Sequence, residues 1–309
     1  MVSCTEFIPL YSELFKYLED LGGHDEVVRY WEHISDTYVS DRLGEEASKN
    51  GILGCWNYWN KSLNEEACDF DMDVDEEAGT FKITMHHCPS KGRLNDFEHM
   101  EPYYDYCGHC DLLYSRQLEK HGIYPYESDY SEVDKAKCVV GYKIDPKFAK
   151  CSKEPQKLHI TRSDADNEYF HRDFHVSAKN GVEYVGNKFG DRGVEELLTR
   201  FAKAYYSPLA AKVKNQGLAA LKEQIEEVYK IEKAPENVEC TLTDKELSVK
   251  VSACPGVTYI KSTGKDPSKW YVELTRAVNR TIAEMCGIGF EFTSYNEENG
   301  ACEYRYFIK

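Results

Sequence analysis

Two stretches of the chain carry the same landmarks at nearly the same spacing, and this repetition constrains the fold more than any other feature. A run of alternating apolar and polar residues, typical of a strand, ends in Cys88–Pro89, and a second such run ends in Cys254–Pro255. A glycine lies 37 residues before each cysteine, and a glycine expected to end a helix lies 34 or 33 residues after it. These glycines are Gly51, Gly217, Gly122 and Gly287. The sequence therefore predicts a tandem duplication.

The repeated unit predicts a fold of the α/β (α+β) class, in which helices pack on a short antiparallel sheet. We expect a first repeat over residues 1–144, a linker over 145–170 and a second repeat over 171–309. The linker is predicted from Pro146, Pro155 and scattered charge. Two copies of one unit are expected to pack as a pseudo-dimer, and their interface is a natural place for one shared site.

Composition excludes several classes of partner. The net charge of −16 disfavours binding to nucleic acid, because an acidic surface repels phosphates. The sequence contains no run of 18 apolar residues and no signal-peptide pattern at its start, so we expect no membrane association and a cytoplasmic location. Thiols stay reduced there, and the 12 cysteines are then expected to be buried residues, metal ligands or reactive thiols. The pattern leaves the oligomeric state open.

The first repeat alone carries a cysteine-rich motif, Cys107–Asp111, at the start of a predicted helix. Cys107 and Cys110 lie one helical turn apart, which suits either metal chelation or activation of a thiolate by the helix N-terminus. His109 between them is a candidate acid, base or ligand. A third interpretation is a pair of inert, half-buried thiols. Cys88 is either a small buried residue at a strand end or a further thiol facing a cleft.

The second repeat alone carries His171 and His175, four residues apart. A helix would place both rings on one face, with the spacing used by helical metal sites. The alternative is two partly exposed histidines on a polar face. The candidate metal ligands, for zinc or another transition metal, are His171, His175, Cys88, Cys107 and Cys110. The candidate catalytic residues are Cys107, His109, Cys110 and Asp111.

The motif from Cys88–Pro89 through Tyr106–Asp111 to Gly122 and Cys138 resembles the L-2-amino-thiazoline-4-carboxylate hydrolase family. The resemblance covers about residues 20–144 and recurs weakly in 171–309. Members of that family open the ring of a cyclic thio-amidine by adding water, which gives an N-carbamoyl cysteine. More distantly, the closing strands are similar to the 4-vinyl-reductase-type domain, whose superfamily binds small hydrophobic molecules and, in relatives, haem.

These observations predict a hydrolase that opens a small cyclic amidine or related ring. Cys107 or Cys110 would be nucleophile or metal ligand, His109 the acid/base, and His171 with His175 would complete the site from the second repeat, around zinc. The alternative is a small-molecule, metal or cofactor-binding, sensor-like protein without catalysis. A structural interpretation keeps Cys107 and Cys110 as a zinc staple in a scaffold.

Overall fold

The computed structural model describes residues 1–150 and 152–309, and these form helices and two small antiparallel sheets. The predicted mixed class of helices with short antiparallel sheets is confirmed. The chain divides into two compact units. The five-stranded unit comprises Leu18–Glu98 and Pro102–Tyr169, and the four-stranded unit comprises Met1–Tyr17, His99–Glu101 and Phe170–Lys309.

The five-stranded unit begins within helix α1 and alternates helices with strands. Its elements are α1 (Phe7–Gly22, from Leu18 onward), α2 (His24–Ile34), a π-helical turn (Ser35–Gly44), α3 (Glu45–Asn50), α4 (Ile52–Asn64), β1 (Asp69–Asp75), β2 (Thr80–His87), α5 (Pro89–Asn95), α6 (Gly108–Glu119), β3 (Ile123–Pro125), β4 (Cys138–Ile144) and β5 (Lys157–Arg162).

The strand order in this unit is β3-β4-β2-β1-β5, with every neighbouring pair antiparallel. Apolar and polar side chains alternate along β1 and β2. One face of the sheet therefore buries the apolar side chains, while the other carries aspartates, lysine and threonines. Helix α4 packs on the buried face, where the Trp59 ring stacks on Phe81 at 5.2 Å and lies 6.0 Å from the ring of Tyr142. The core of the unit lies between α4 and the sheet.

The four-stranded unit contains the N-terminal residues and the second half of the chain. Its elements are a 3-10 turn (Cys4–Glu6), the first part of α1, α7 (Phe174–Tyr205, kinked at Gly190), α8 (Ser207–Gln216), α9 (Leu218–Ile231), β6 (Val238–Leu242), β7 (Glu246–Val251), α10 (Pro255–Ser262), α11 (Glu273–Cys286), β8 (Gly289–Tyr295) and β9 (Cys302–Phe307).

The strand order in this unit is β6-β7-β9-β8, again antiparallel throughout. With β6 to β9 matched to β1 to β4 in chain order, the two sheets have the same order apart from the added β5. In both units a cysteine, Cys88 or Cys254, precedes a helix whose first residue is proline. This agreement is what a duplication would produce; the duplication and the pseudo-dimer packing stay predictions.

The division of the chain differs from the predicted boundaries in two places. Residues 1–17 group with the second half of the chain rather than with the first. Residues 157–162, predicted as linker, form β5 along the free edge of β1. They do so because Leu158 and Ile160 alternate with exposed polar residues, so that the strand turns its apolar side chains inward.

The remaining expectations about the whole chain concern thiols and membranes. The eleven cysteines within residues 1–150 and 152–309 are all free thiols, as expected. Among the described helices, none combines the length and the apolar character that crossing a bilayer requires.

Candidate functional site

Four half-buried cysteines occupy element ends in the five-stranded unit. Cys88 follows β2 and caps α5, where its Sγ accepts a hydrogen bond from the Lys91 N–H at 3.4 Å. Cys107 is the residue before α6, and Cys110 lies in the first turn of that helix. Cys138 opens β4 opposite Met85 of β2. The sequence prediction that Cys107 and Cys110 lie at a helix start is confirmed.

Cys110 contacts the imidazole of its neighbour His109. The distance from Cys110 Sγ to His109 Nε2 is 3.4 Å. The other ring nitrogen, Nδ1, donates to the carbonyl oxygen of Tyr106. Because a carbonyl only accepts, the proton of the neutral ring lies on Nδ1, and Nε2 can accept the thiol proton. Burial lowers the pKa of His109 to about 4, against the opposing effect of the Tyr106 carbonyl, so the imidazole is neutral at pH 7.

The thiols around Cys110 are all protonated at neutral pH. Burial, followed by the nearby Cys88 thiol, raises the pKa of both Cys107 and Cys138 to about 12. For Cys110, burial, followed by Cys107 and Cys88, raises the pKa well above its ordinary value. The four sulfur atoms therefore lie within electrostatic range of one another, and loss of a proton from any one of them needs a base at the moment of reaction.

Asp111 follows Cys110 on α6 and is exposed. Its Oδ1 accepts hydrogen bonds from Ser115 Oγ at 3.3 Å and from Tyr130 OH at 3.4 Å. Ser115 Oγ also lies 3.3 Å from Tyr142 OH. These hydroxyls fix the exposed carboxylate of the residue that follows Cys110 in the chain.

A second group of chemically active side chains lies inside the four-stranded unit. The ligand atoms of Cys4, His175 and Glu232 all lie within 4.8 Å of one another, an arrangement that could hold a metal ion. The backbone N–H of Cys4 donates to Glu232 Oε1 at 2.6 Å, and His175 Nε2 lies 3.0 Å from Glu232 Oε2. Tyr271 OH lies 3.1 Å from His175 Nδ1.

The electrostatics of this second group follow from its burial. Burial, followed by the charge of the Glu232 carboxylate, raises the pKa of the Cys4 thiol. Burial alone would raise the pKa of Glu232 as well. The charge and hydrogen bond of His175, with the Cys4 N–H, outweigh it and lower the pKa of Glu232 below its ordinary value. The group thus holds a protonated thiol beside a carboxylate.

The chain was compared with known families, curated proteins and solved structures. No known family, no curated protein and no solved structure matches it. The resemblance to the thiazoline hydrolase family stays a prediction, and the site has to be interpreted from its own chemistry.

The predicted histidine pair is wrong in one respect. Helix α7 begins at Phe174, so His171 lies before the helix and does not share a helical face with His175. The turn at this point is closed by the Phe174 N–H, which donates to the His171 carbonyl at 3.2 Å. The rings of His171 and Phe174 lie 4.5 Å apart. His175 belongs to the group that could hold a metal, with partners that the histidine spacing does not reveal.

Two members of that group, Cys4 and Glu232, were not predicted from the sequence. When the repeat is extended backwards from Gly51 and Gly217, Cys4–Ile8 of the first copy aligns with the stretch that carries His171 and His175, and this was the available signal. Glu232 follows the last residue of α9 and looks like one more acid on a solvated helix end. Cys88, Cys107 and Cys110 belong to the other unit, and their predicted convergence with the histidines stays a prediction.

Proposed function

We propose that this chain is a hydrolase that opens a small cyclic amidine with Cys110 as nucleophile and His109 as general base. The observation that supports it is the 3.4 Å contact from Cys110 Sγ to an imidazole nitrogen that carries no proton. The base is in turn oriented by the carbonyl of Tyr106. A nucleophile, a base and an orienting group in contact form the arrangement used in covalent catalysis by thiols and hydroxyls. Cys110 is half-buried.

The reaction balances without an added oxidant or reductant. His109 Nε2 takes the thiol proton as Cys110 Sγ bonds to the amidine carbon of the ring. The ring carbon–sulfur bond then breaks, and the ring sulfur takes the proton from His109. The enzyme is left as an isothiourea on Cys110. Water attacks the same carbon, His109 takes its proton, and the Cys110 sulfur leaves and recovers that proton. One water molecule has been added to the substrate.

The neighbouring groups have supporting parts in this proposal. Asp111, held by Ser115 and Tyr130, supplies an exposed negative charge one residue after the nucleophile in the chain. An amidine is a cation at neutral pH, so this carboxylate favours its approach. Burial, followed by Cys107 and Cys88, raises the pKa of Cys110, which keeps the resting thiol protonated until the base acts.

The experiment uses 2-amino-thiazoline-4-carboxylate as the probe and measures turnover with mass spectrometry of the protein. We expect an adduct on Cys110 in the wild type, and a loss of kcat of at least ~100-fold in both Cys110→Ser and His109→Asn. Cys286→Ser, a half-buried thiol of the other unit, serves as the matched control and retains activity. Undiminished turnover in a folded Cys110→Ser variant contradicts the proposal.

A second candidate function is metal binding without catalysis, favoured by the Cys4, His175 and Glu232 group. We propose zinc as its ion, since thiolate, imidazole and carboxylate together form a donor set that zinc takes. The test is metal analysis of the purified chain and of a Glu232→Gln variant. The proposal is supported if the wild-type chain binds one equivalent of zinc and the Glu232→Gln variant binds none. A wild-type chain that takes up no zinc contradicts it.

A further inference from the structure

The Cys4, His175 and Glu232 group joins three distant parts of the four-stranded unit. Cys4 lies on the N-terminal 3-10 turn, His175 in the first turn of α7, and Glu232 directly after α9. Cys4 and Glu232 are 228 residues apart in the chain. We propose that zinc bound by these three side chains is a structural clasp that fastens residues 1–17 to the rest of the unit. The clasp rests on the zinc binding proposed above and adds a role to it.

The spacing of the ligand atoms suits one ion. A tetrahedral zinc ion with bonds of ~2.0–2.3 Å holds its ligands roughly 3.3–3.8 Å apart. His175 Nε2 and Glu232 Oε2 are 3.0 Å apart, and the three ligand atoms lie within 4.8 Å of one another. The ion takes the place of the proton shared between the imidazole and the carboxylate, with changes of well under 1 Å for that pair.

The charges also balance. Zinc binding releases the Cys4 thiol proton, and the thiolate and the Glu232 carboxylate together neutralise the charge of the ion. A neutral complex is the kind of ion site that a protein interior accommodates, since an uncompensated buried charge is strongly unfavourable. His175 joins as the neutral ligand.

The surroundings hold two of the ligands in position. Tyr271 OH, 3.1 Å from His175 Nδ1, becomes the acceptor for the Nδ1 proton when Nε2 binds the ion. The Cys4 N–H fixes Glu232 Oε1 at 2.6 Å and leaves Oε2 for the metal. Gly256 makes this packing possible, because a Cβ at that position would lie 2.2 Å from Tyr271 OH and 2.8 Å from His175 Nδ1.

Burial decides between a structural and a catalytic ion. The exposed fractions of Cys4, His175 and Glu232 are 1%, 2% and 5%, so the folded surface gives a substrate no route to the ion. The N-terminal segment already packs on α7, where the Phe7 ring stacks on Phe174 at 4.8 Å. An ion bound to Cys4 adds a cross-link to a segment that these apolar contacts have already placed.

The experiment compares the full chain with and without zinc by hydrogen exchange of residues 1–17. We expect removal of zinc by a chelator to lower protection of this segment at least ~10-fold, with protection of the β8–β9 hairpin unchanged. Cobalt substitution is expected to give a thiolate-to-cobalt charge-transfer absorption, which Cys4→Ser abolishes. Cys240→Ser is the matched control, since Cys240 is a half-buried thiol on β6 of the same unit.

The outcomes separate the clasp from the metal site. Zinc binding with unchanged exchange of residues 1–17 overturns the clasp and leaves the proposed zinc site standing. A chain that takes up no zinc overturns both. If the thiolate-to-cobalt absorption persists in Cys4→Ser, another cysteine binds the ion, and this outcome also overturns the clasp. The chelated wild-type chain carries no substitution, so its exchange pattern decides the question even where Cys4→Ser fails to fold.

Discussion

His109 Nε2 lies 3.4 Å from Cys110 Sγ, although the two residues are consecutive in the chain. Consecutive side chains on a helix point in different directions, and this contact arises at the first turn of α6, where the His109 ring folds back toward the carbonyl of Tyr106. The arrangement supplies a buried neutral imidazole next to a protonated thiol.

The first prediction concerns stability below neutral pH. The pKa of His109 is about 4 in the folded chain and 6.5 unfolded, so the unfolded chain binds more protons between these values. The free energy of unfolding therefore falls as the pH falls from 6.5 to 4, by about 3 kcal/mol from this group. Urea unfolding measured across this pH range is expected to show that the free energy of unfolding depends less steeply on pH in His109→Gln than in the wild type. The exposed His33→Gln is the control, and equal slopes in all three chains would refute the assignment.

The second prediction concerns thiol reactivity. The pKa of Cys138 is about 12 against an ordinary value of 9.0, so its thiolate fraction at pH 8 is lower by roughly 1,000-fold. We expect iodoacetamide to modify Cys138 at least ~100-fold more slowly than an unstructured cysteine peptide. Peptide mass spectrometry measures the rate for each site. Modification at the rate of the free peptide would show that burial does not suppress the thiolate.

The third prediction concerns Gly256. Its Cβ in Gly256→Ala would collide with Tyr271 OH at 2.2 Å, so the variant is expected to lose about 1–3 kcal/mol of unfolding free energy. It also displaces His175 and is expected to weaken zinc binding. Gly44→Ala is the matched control, because its nearest atom, Gln117 Oε1, lies at an ordinary 3.7 Å. Equal melting temperatures in the two variants would contradict the close packing at Tyr271.

The fourth prediction concerns the core of the five-stranded unit. Trp59 is 5% exposed and stacks on Phe81, so Trp59→Ala is expected to cost about 3–5 kcal/mol. Tyr124→Ala, which removes a ring that is 46% exposed on β3, is expected to change stability by less than about 0.5 kcal/mol. Chemical denaturation of both variants measures the difference. A small effect at Trp59 would place the core of this unit elsewhere.

Local sequence patterns predicted several elements of both units. The alternation before Cys88 and Cys254 predicted strands, and β2 and β7 lie there. Gly287 ends α11 in the left-handed conformation, with φ of 72°. These features depend on backbone hydrogen bonding and side-chain alternation over a few residues, which the order of amino acids carries directly.

Local patterns misplaced two features. Proline and charge in 145–170 indicated a linker, but the edge of β1 was available for pairing, and β5 lies there. The spacing of His171 and His175 suggested one helical face, but α7 begins only at Phe174. The first concerns whether an element forms and the second where one begins, and neighbouring elements decide both through the hydrogen bonds they offer.

By itself, the sequence determined the mixed fold class, the cysteine motif at the start of α6 and the absence of a long apolar segment. The tertiary structure alone decided that Cys4, His175 and Glu232 meet, and that His109 faces Cys110 with its unprotonated nitrogen. The physical reason is burial. Residues 228 positions apart become neighbours only when their segments exclude water together, and the same burial sets the protonation of the histidine and the thiols.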